Sequence, residues 1–177
     1  MRKGLFLFAL LALVLSTHPA QAGDKEDVIA AREAGDVNSE ENKALVRQFI
    51  EEFDQNWGKS VDYLDKWFTD DFKLHFNAAT MDLAAFKEIL PAFYSAFTDM
   101  RHEVHFMVAE DDLVTSVQTL HMKHIGEWEG IAPTGRTALL ADIAVLRIRD
   151  GKFAEEWVVS DMAGLKQQLQ APPKESE

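Results

Sequence analysis

The spacing of hydrophobic residues changes about halfway along the chain. Before residue 100, apolar residues recur at intervals of three and four, as in Leu45, Phe49 and Phe53, which predicts helices. From Met100 the interval becomes two, which predicts four strands at about residues 101–109, 113–128, 137–149 and 152–160. Helices followed by an antiparallel meander indicate an α+β domain. We expect its long, twisted sheet to curl around the helices and leave a conical cavity.

Local signals divide the first half into helices and one short strand. Asn38 and Glu41 are spaced as a capping box, which predicts that a helix begins there. Residues 60–68 predict a second short helix, and residues 72–76 alternate as a strand. Asp82 can cap a third helix, which Pro91 is expected to kink.

The amino terminus has the pattern of an export signal. A basic start precedes an apolar run over residues 5–15, and Ala20-Gln21-Ala22 suits cleavage between Ala22 and Gly23. The alternative is an uncleaved anchor, although the run is shorter than the roughly 20 residues that span a bilayer. We expect a periplasmic or secreted protein with no stable membrane span after cleavage. Residues 1–22 are then the signal peptide, 23–38 a linker, 39–170 the domain and 171–177 a disordered tail.

Composition excludes several kinds of partner and chemistry. The 177 residues carry 30 acidic and 18 basic side chains, a net charge of -12, so nucleic acid is not an expected partner. The chain has no cysteine, which excludes disulfides, thiolate metal sites and a cysteine nucleophile. The histidine pairs His102/His105 and His121/His124 are three apart, which in a strand puts the members on opposite faces. We therefore predict no metal site, and no cofactor, since a glycine-rich phosphate loop is also missing.

The last predicted strand carries the strongest candidates for chemistry. Counting by two from Phe153 puts Glu155, Trp157 and Asp161 on one buried face. Burial raises the pKa of a carboxyl group, which would suit Asp161 to proton transfer near neutral pH. Two alternatives stay open: Asp161 could cap a terminal helix that begins at Met162, and Glu155 could pair with an arginine such as Arg147.

Other side chains could line a cavity for a flat apolar ligand. His124 lies on an apolar face and His105 lies on the face of Met107, although a lone strand histidine is more often structural. Arg136 could clamp a substrate at the cavity mouth or form an ordinary salt bridge. Core packing is the default role of the aromatic residues, but their number also suits a ligand pocket. The candidates for its lining are Trp67, Phe76, Phe93, Trp128 and Trp157.

The segment from His124 to Arg136 (HIGEWEGIAPTGR) resembles the signature of SnoaL-like polyketide cyclases, also called ester cyclases. The arginine-containing strand at 146–153, the closing strand and Asp161 extend the resemblance, which covers about residues 42–169. Ala132 departs from it, since the family often has a second proline there. The resemblance implies the NTF2-like fold, a conical barrel in which a curved antiparallel sheet wraps around N-terminal helices.

The same resemblance implies an activity and roles for two residues. Asp161 matches the aspartate that acts as general acid and base in the family, and His124 matches its signature histidine. The implied function is a cofactor-free cyclase or isomerase that acts on a small apolar carbonyl compound. The alternative is a non-catalytic binding module for a small hydrophobic molecule in the periplasm, to which the export signal points. By analogy, a homodimer across the outer face of the sheet is also possible.

Overall fold

The computed structural model describes the backbone of residues 22–172 and the side chains of residues 38–172. The predicted signal segment, up to residue 21, and residues 173–177 of the predicted tail lie outside the described residues. The chain divides into two compact units, residues 1–33 and 34–177, and the sheet belongs to the second. In chain order the elements are α1 (Ala22–Gln55), a short 3-10 helix (Asp62–Lys66), β1 (Phe68–Phe76), β2 (Ala79–Asp82), α2 (Leu83–Ala96), β3 (Phe97–Glu110), β4 (Leu113–His124), β5 (Thr137–Arg149), β6 (Lys152–Ser160) and α3 (Met162–Gln170).

The predicted α+β class is confirmed, with one correction to the sheet. Six strands form a single curved, open sheet in the order β2-β1-β6-β5-β4-β3. Strands β3 to β6 form the predicted antiparallel meander, but β1 pairs with β6 in parallel. No hairpin joins β1 to β6, so nothing in their connection requires the antiparallel direction.

The predicted start of the first helix is wrong. Helix α1 begins at Ala22 and continues through Asn38, so residues 23–38 do not form a linker of irregular backbone. That segment contains three Ala, two Glu, one Lys and one Arg, which favour helix, and Asn38 is exposed, where a polar residue costs a helix little. Further along, the Asn42 side chain donates to the Asp111 carbonyl (3.0 Å) and so attaches α1 to the β3–β4 turn.

Two other boundaries differ from the predicted ones for local reasons. Helix α2 begins as predicted, with Asp82 accepting the Ala85 N–H (2.9 Å), but continues through Pro91 to Ala96. Pro91 is exposed, so water can satisfy the carbonyl that loses its partner. Strand β4 ends at His124 because the next residues turn to α2. There Gly126 lies so close to Ser95 that a Cβ would stand 2.1 Å from the Ser95 carbonyl oxygen.

Two apolar clusters hold the helices against the concave face of the sheet. In the first, the Phe49 ring of α1 packs at 5.4 Å from Phe68 and 5.1 Å from Phe153. In the second, Leu165 of α3 is buried with Phe97 and Met122. Each fully buried side chain of this size contributes about 1.5–3 kcal/mol to stability.

A β-bulge in β6 decides which of its side chains face inward. Ile148 pairs with Phe153 but Arg147 pairs with Glu155, so Ala154 is an extra residue opposite β5. Phe153 and Ala154 are both buried, and the alternation is reversed from there on. The inward residues of β6 are therefore Glu156, Val158 and Ser160, whereas Glu155, Trp157 and Val159 face outward.

Candidate active site

An apolar cavity of about 160 Å³ lies between the concave face of the sheet and helices α1 and α2. Half of its lining residues on α1 and α2 are aromatic (Phe49, Phe53, Phe86 and Phe93), and Trp57, just after α1, adds a fifth ring. A dry cavity of about 150 Å³ holds a molecule the size of benzene. The volume therefore suits a ligand with a single ring.

Five polar residues of the sheet line this cavity and form one cluster: Ser116, Gln118, Asp142, Glu156 and Ser160. The Ser116 hydroxyl donates to Gln118 Oε1 (3.0 Å), and Gln118 Nε2 donates to Asp142 Oδ2 (2.9 Å). The Ser160 hydroxyl donates to Asp142 Oδ1. Both oxygens of this buried carboxyl group thus have a donor, as a group removed from water requires.

Glu156 lies in the same cluster, and the pKa of its carboxyl group is raised. Burial, and then the negative charge of Asp142, raise the pKa of Glu156 to about 8. At neutral pH its carboxyl group is therefore mostly protonated and can donate a hydrogen bond or a proton. Two carboxyl groups in different protonation states can serve as acid and base in one reaction.

A histidine of β3 faces the cavity from another strand. His102 pairs in register with Leu120, and both side chains line the cavity. Asp54 of α1 accepts the His102 backbone N–H (2.9 Å) and lies 2.6 Å from its Nδ1. A carboxylate at Nδ1 assigns the proton to that nitrogen and fixes the plane of the ring.

Asp161 does not reach the cavity, so its predicted inward orientation is wrong. The bulge at Ala154 reverses the alternation on which that prediction depended. Asp161 is exposed and accepts the Gly164 N–H (2.8 Å) as the N-cap of α3. The capping alternative is therefore the one observed.

Glu155 and Trp157 face away from the cavity for the same reason. Glu155 pairs with His75 (2.9 Å) and with Arg147 (3.5 Å), which is the pairing expected as its alternative. The Trp157 ring stacks on His75, with 5.3 Å between ring centroids, and Arg147 lies over it. These four side chains form a polar and aromatic cluster on the outer face of the sheet.

His124 is buried beside the second apolar cluster and does not line the cavity. Its Nδ1 accepts the Thr134 backbone N–H (3.3 Å), and its ring packs against Phe97 at 5.2 Å. Burial lowers the pKa of His124, against a smaller opposite effect of the Gly126 backbone, so the ring is neutral at pH 7. These contacts hold the loop that follows β4. His124 therefore has the structural role that was the alternative to a role in the pocket.

The other predicted site residues divide between the cavity and the rest of the fold. Phe76 and Phe93 line the cavity. Trp67 is in the first core cluster and donates to Glu52 (3.2 Å), and Met107 packs against the same cluster. Those residues therefore serve the core.

Three more predicted site residues have structural contacts outside the cavity. Trp128 packs at 5.7 Å from Phe97. His105 is exposed and bonded to Thr119 (2.9 Å). Arg136 does not line the cavity and donates to backbone carbonyls at the end of α3, including that of Gln168 (3.3 Å).

The alternation of β5 in the sequence also marks Asp142 as unusual. Strand β5 alternates regularly, and its inward residues Ala138, Leu140, Ala144 and Leu146 are all apolar and buried. Asp142 is the one charged residue in that series. A carboxylate at a predicted core position is expensive unless it has a function or partners.

The fold and the cavity together define a class of protein. A curved, open sheet that wraps around helices and encloses an apolar cavity with carboxyl groups inside is the NTF2-like architecture, suited to small molecules. The family model of the SnoaL-like polyketide cyclase matches residues 44–169. The chain belongs to this family.

Solved structures agree with this assignment. AclR, a proposed hydroxylase from Streptomyces galilaeus, is 27% identical, with 77% of this chain and 87% of that chain covered and a TM-score of 0.68. IdmH, a proposed polyketide cyclase from Streptomyces antibioticus, is 23% identical over 73% of this chain and 99% of that one, with a TM-score of 0.65. No curated protein sequence matches significantly. Within the described part of the chain, no helix has the length and hydrophobicity to cross a membrane.

The raised pKa of Glu156 predicts a particular pH dependence of stability. The folded chain binds this proton more tightly than the unfolded chain, whose glutamate pKa is near 4.5. The stabilising contribution is therefore fully present below pH 4.5 and is lost as the pH rises through about 8. The free energy of unfolding should therefore decline as the pH rises, by on the order of a few kcal/mol. We expect Glu156→Gln to remove this decline. Urea denaturation followed by tryptophan fluorescence at several pH values measures it.

Glu155→Gln is the matched control, because the neighbouring glutamate faces outward. In this variant the free energy of unfolding should decline between about pH 5 and about pH 8, as in the wild type. An equal decline in Glu156→Gln would show that Glu156 does not hold its proton in the folded chain.

Proposed function

We propose that this protein is a cofactor-free acid–base catalyst, a cyclase or isomerase that acts on a small apolar carbonyl compound. The observation that carries the proposal is the pair of carboxyl groups of Asp142 and Glu156 inside an otherwise apolar cavity. Membership of the SnoaL-like polyketide cyclase family supports a reaction of the cyclase or isomerase type.

The two carboxyl groups have complementary roles in this reaction. Asp142, held by Gln118 and Ser160, removes a proton from the carbon next to a carbonyl group. The electron pair of the broken C–H bond forms a C=C bond, the π pair of the carbonyl group moves to its oxygen, which takes the proton of Glu156, and an enol results. The enol carbon then attacks a second carbonyl group in a cyclase, or is protonated at another position in an isomerase. General acid–base catalysis of this kind contributes about 10²–10⁴-fold to the rate.

The substrate should be small. A cavity of about 160 Å³ is below the roughly 300–1,000 Å³ of pockets for drug-sized ligands. The aromatic wall from α1 and α2 also favours a flat ring over a flexible chain. We therefore expect a compound with one ring.

Exchange of α protons tests the catalytic step without knowledge of the substrate. In D₂O the wild-type protein should speed the incorporation of deuterium next to the carbonyl of acetophenone or cyclohexanone, followed by ¹H NMR. Asp142→Asn should slow this exchange by about 10²–10⁴-fold, because it removes the base.

Asp161→Asn is the control, since asparagine also caps helices and Asp161 lies outside the cavity. It should exchange at the wild-type rate. Full activity in Asp142→Asn would contradict the proposed mechanism. Wild-type protein that binds these ketones without any exchange would instead favour the binding module.

We propose further that the protein is exported with its first 22 residues removed. A basic start, an apolar run over residues 5–15 and small residues at Ala20 and Ala22 support this. Expression of the full chain in a Gram-negative bacterium should yield a periplasmic product that begins at Gly23, as intact-mass spectrometry would show. A membrane-bound product that retains Met1 would favour the uncleaved anchor.

A homodimer across the outer face of the sheet is our third proposal. Phe106, Val117, Ile143 and Val159 are direct partners in register on β3, β4, β5 and β6, and form one apolar row. Phe106 is 56% exposed and Val159 is 64% exposed. Contiguous apolar surface of this kind is unusual on a monomer, and one sheet face can match its own copy about a two-fold axis.

Substitution within this row should abolish the dimer. We expect wild-type protein to sediment as a dimer in analytical ultracentrifugation and Ile143→Lys to sediment as a monomer. Ile125→Lys is the matched control, because Ile125 is equally exposed but lies in the loop after β4. A monomeric wild type, or a dimeric Ile143→Lys, would exclude this interface.

A further inference from the structure

The polar groups of the cavity lie at two separate positions. Asp142 and Glu156 are on β5 and β6, whereas His102 is on the edge strand β3. His102, Leu120 and Leu140 are consecutive partners across the sheet, and Asp142 is two residues beyond Leu140. Two strand spacings (about 9–10 Å) across the sheet and two residues (about 7 Å) along β5 therefore separate the backbones of His102 and Asp142 on the same concave face, about 12 Å in all.

His102 is held in one orientation. Asp54 accepts its backbone N–H through Oδ2 and its Nδ1–H through Oδ1 (2.9 and 2.6 Å). The ring of Phe53 packs against the imidazole nearly edge-on, with 5.8 Å between centroids. The His102 side chain is only 9% exposed. This degree of fixation is typical of a functional imidazole oriented by a carboxylate.

The second ring nitrogen of His102 can accept a hydrogen bond when the ring is neutral. With the proton on Nδ1, Nε2 of the neutral ring carries a lone pair. Within residues 38–172, no hydrogen bond to this nitrogen is present, and the side chain borders the cavity. The cavity therefore offers a proton donor, Glu156, at one position and a hydrogen-bond acceptor at the other.

We propose that His102, positioned by Asp54, forms a second polar subsite that binds a hydroxyl group, so that the ligand is a single-ring carbonyl compound with a hydroxyl group at its opposite end. The carbonyl group points toward Asp142 and Glu156, and the hydroxyl donates to Nε2 of His102. This inference rests on the proposed function in one respect only, that the ligand carries a carbonyl group.

Binding of paired probes tests the subsite independently of catalysis. Wild-type protein should bind 4-hydroxybenzaldehyde about 2–10-fold more tightly than benzaldehyde in calorimetric titration, the usual effect of one added hydrogen bond. His102→Leu should lose this preference, because leucine cannot accept the hydroxyl. His105→Leu on the same strand is the matched control and should retain it, since His105 is exposed.

A spectroscopic measurement on the wild-type protein covers the case in which His102→Leu folds poorly. The ¹⁵N spectrum should show the Nδ1–H tautomer of His102, and Nε2 should shift on addition of 4-hydroxybenzaldehyde but not of benzaldehyde. Asp54→Ala should lose the single tautomer and weaken the preference, which identifies Asp54 as a positioning residue. Equal affinities for the two probes, or an unchanged preference in His102→Leu, would overturn the subsite. Binding and deuterium exchange are separate readouts. Equal binding of the two probes would therefore not affect the proposed role of Asp142, and unchanged deuterium exchange in Asp142→Asn would not affect the subsite at His102.

Discussion

Two carboxyl groups inside an apolar cavity are the constraint to which the rest of the structure is adapted. Two unpaired negative charges in such a place would destabilise the fold severely. The protein avoids this in two ways: Gln118 and Ser160 donate to both oxygens of Asp142, and Glu156 keeps its proton. The cluster thus holds one charge rather than two. The same arrangement matches what the proposed mechanism requires of these two groups, an acceptor of a proton at Asp142 and a donor at Glu156.

The aromatic helical wall and the polar sheet wall have different tasks. Phe49 and Phe53 of α1, with Trp57 just beyond its end, offer apolar contact area without direction. The sheet supplies direction, because alternate residues of three adjacent strands project polar groups to fixed points on one face. A rigid sheet is better suited than a loop to hold such groups, since each strand is fixed by its neighbours.

The sequence predicted the architecture far better than the site. The change of spacing at Met100 predicted the class of the fold and the strands β5 and β6 with their correct bounds, because long, regular alternation is a strong signal. It could not show the extra residue at Ala154, since Phe153-Ala154-Glu155-Glu156 reads equally well in either phase. One misplaced residue there exchanged the inner and outer faces and moved the predicted site to Glu155, Trp157 and Asp161. Asp142 could have been identified from its isolation in an apolar strand, whereas the contact of His102 with Asp54 joins positions 48 residues apart and left no local trace.

The segment that best marks this chain as a family member lies outside the cavity. Gly126 is required where the loop crosses Ser95 without space for a side chain, and His124 and Arg136 bind backbone groups of the loop and of α3. These residues act on the path of the chain and not on a ligand in the cavity. Relatives can therefore share the whole motif and still differ in what they transform, since selection on the reaction acts on a separate group of positions that is free to diverge.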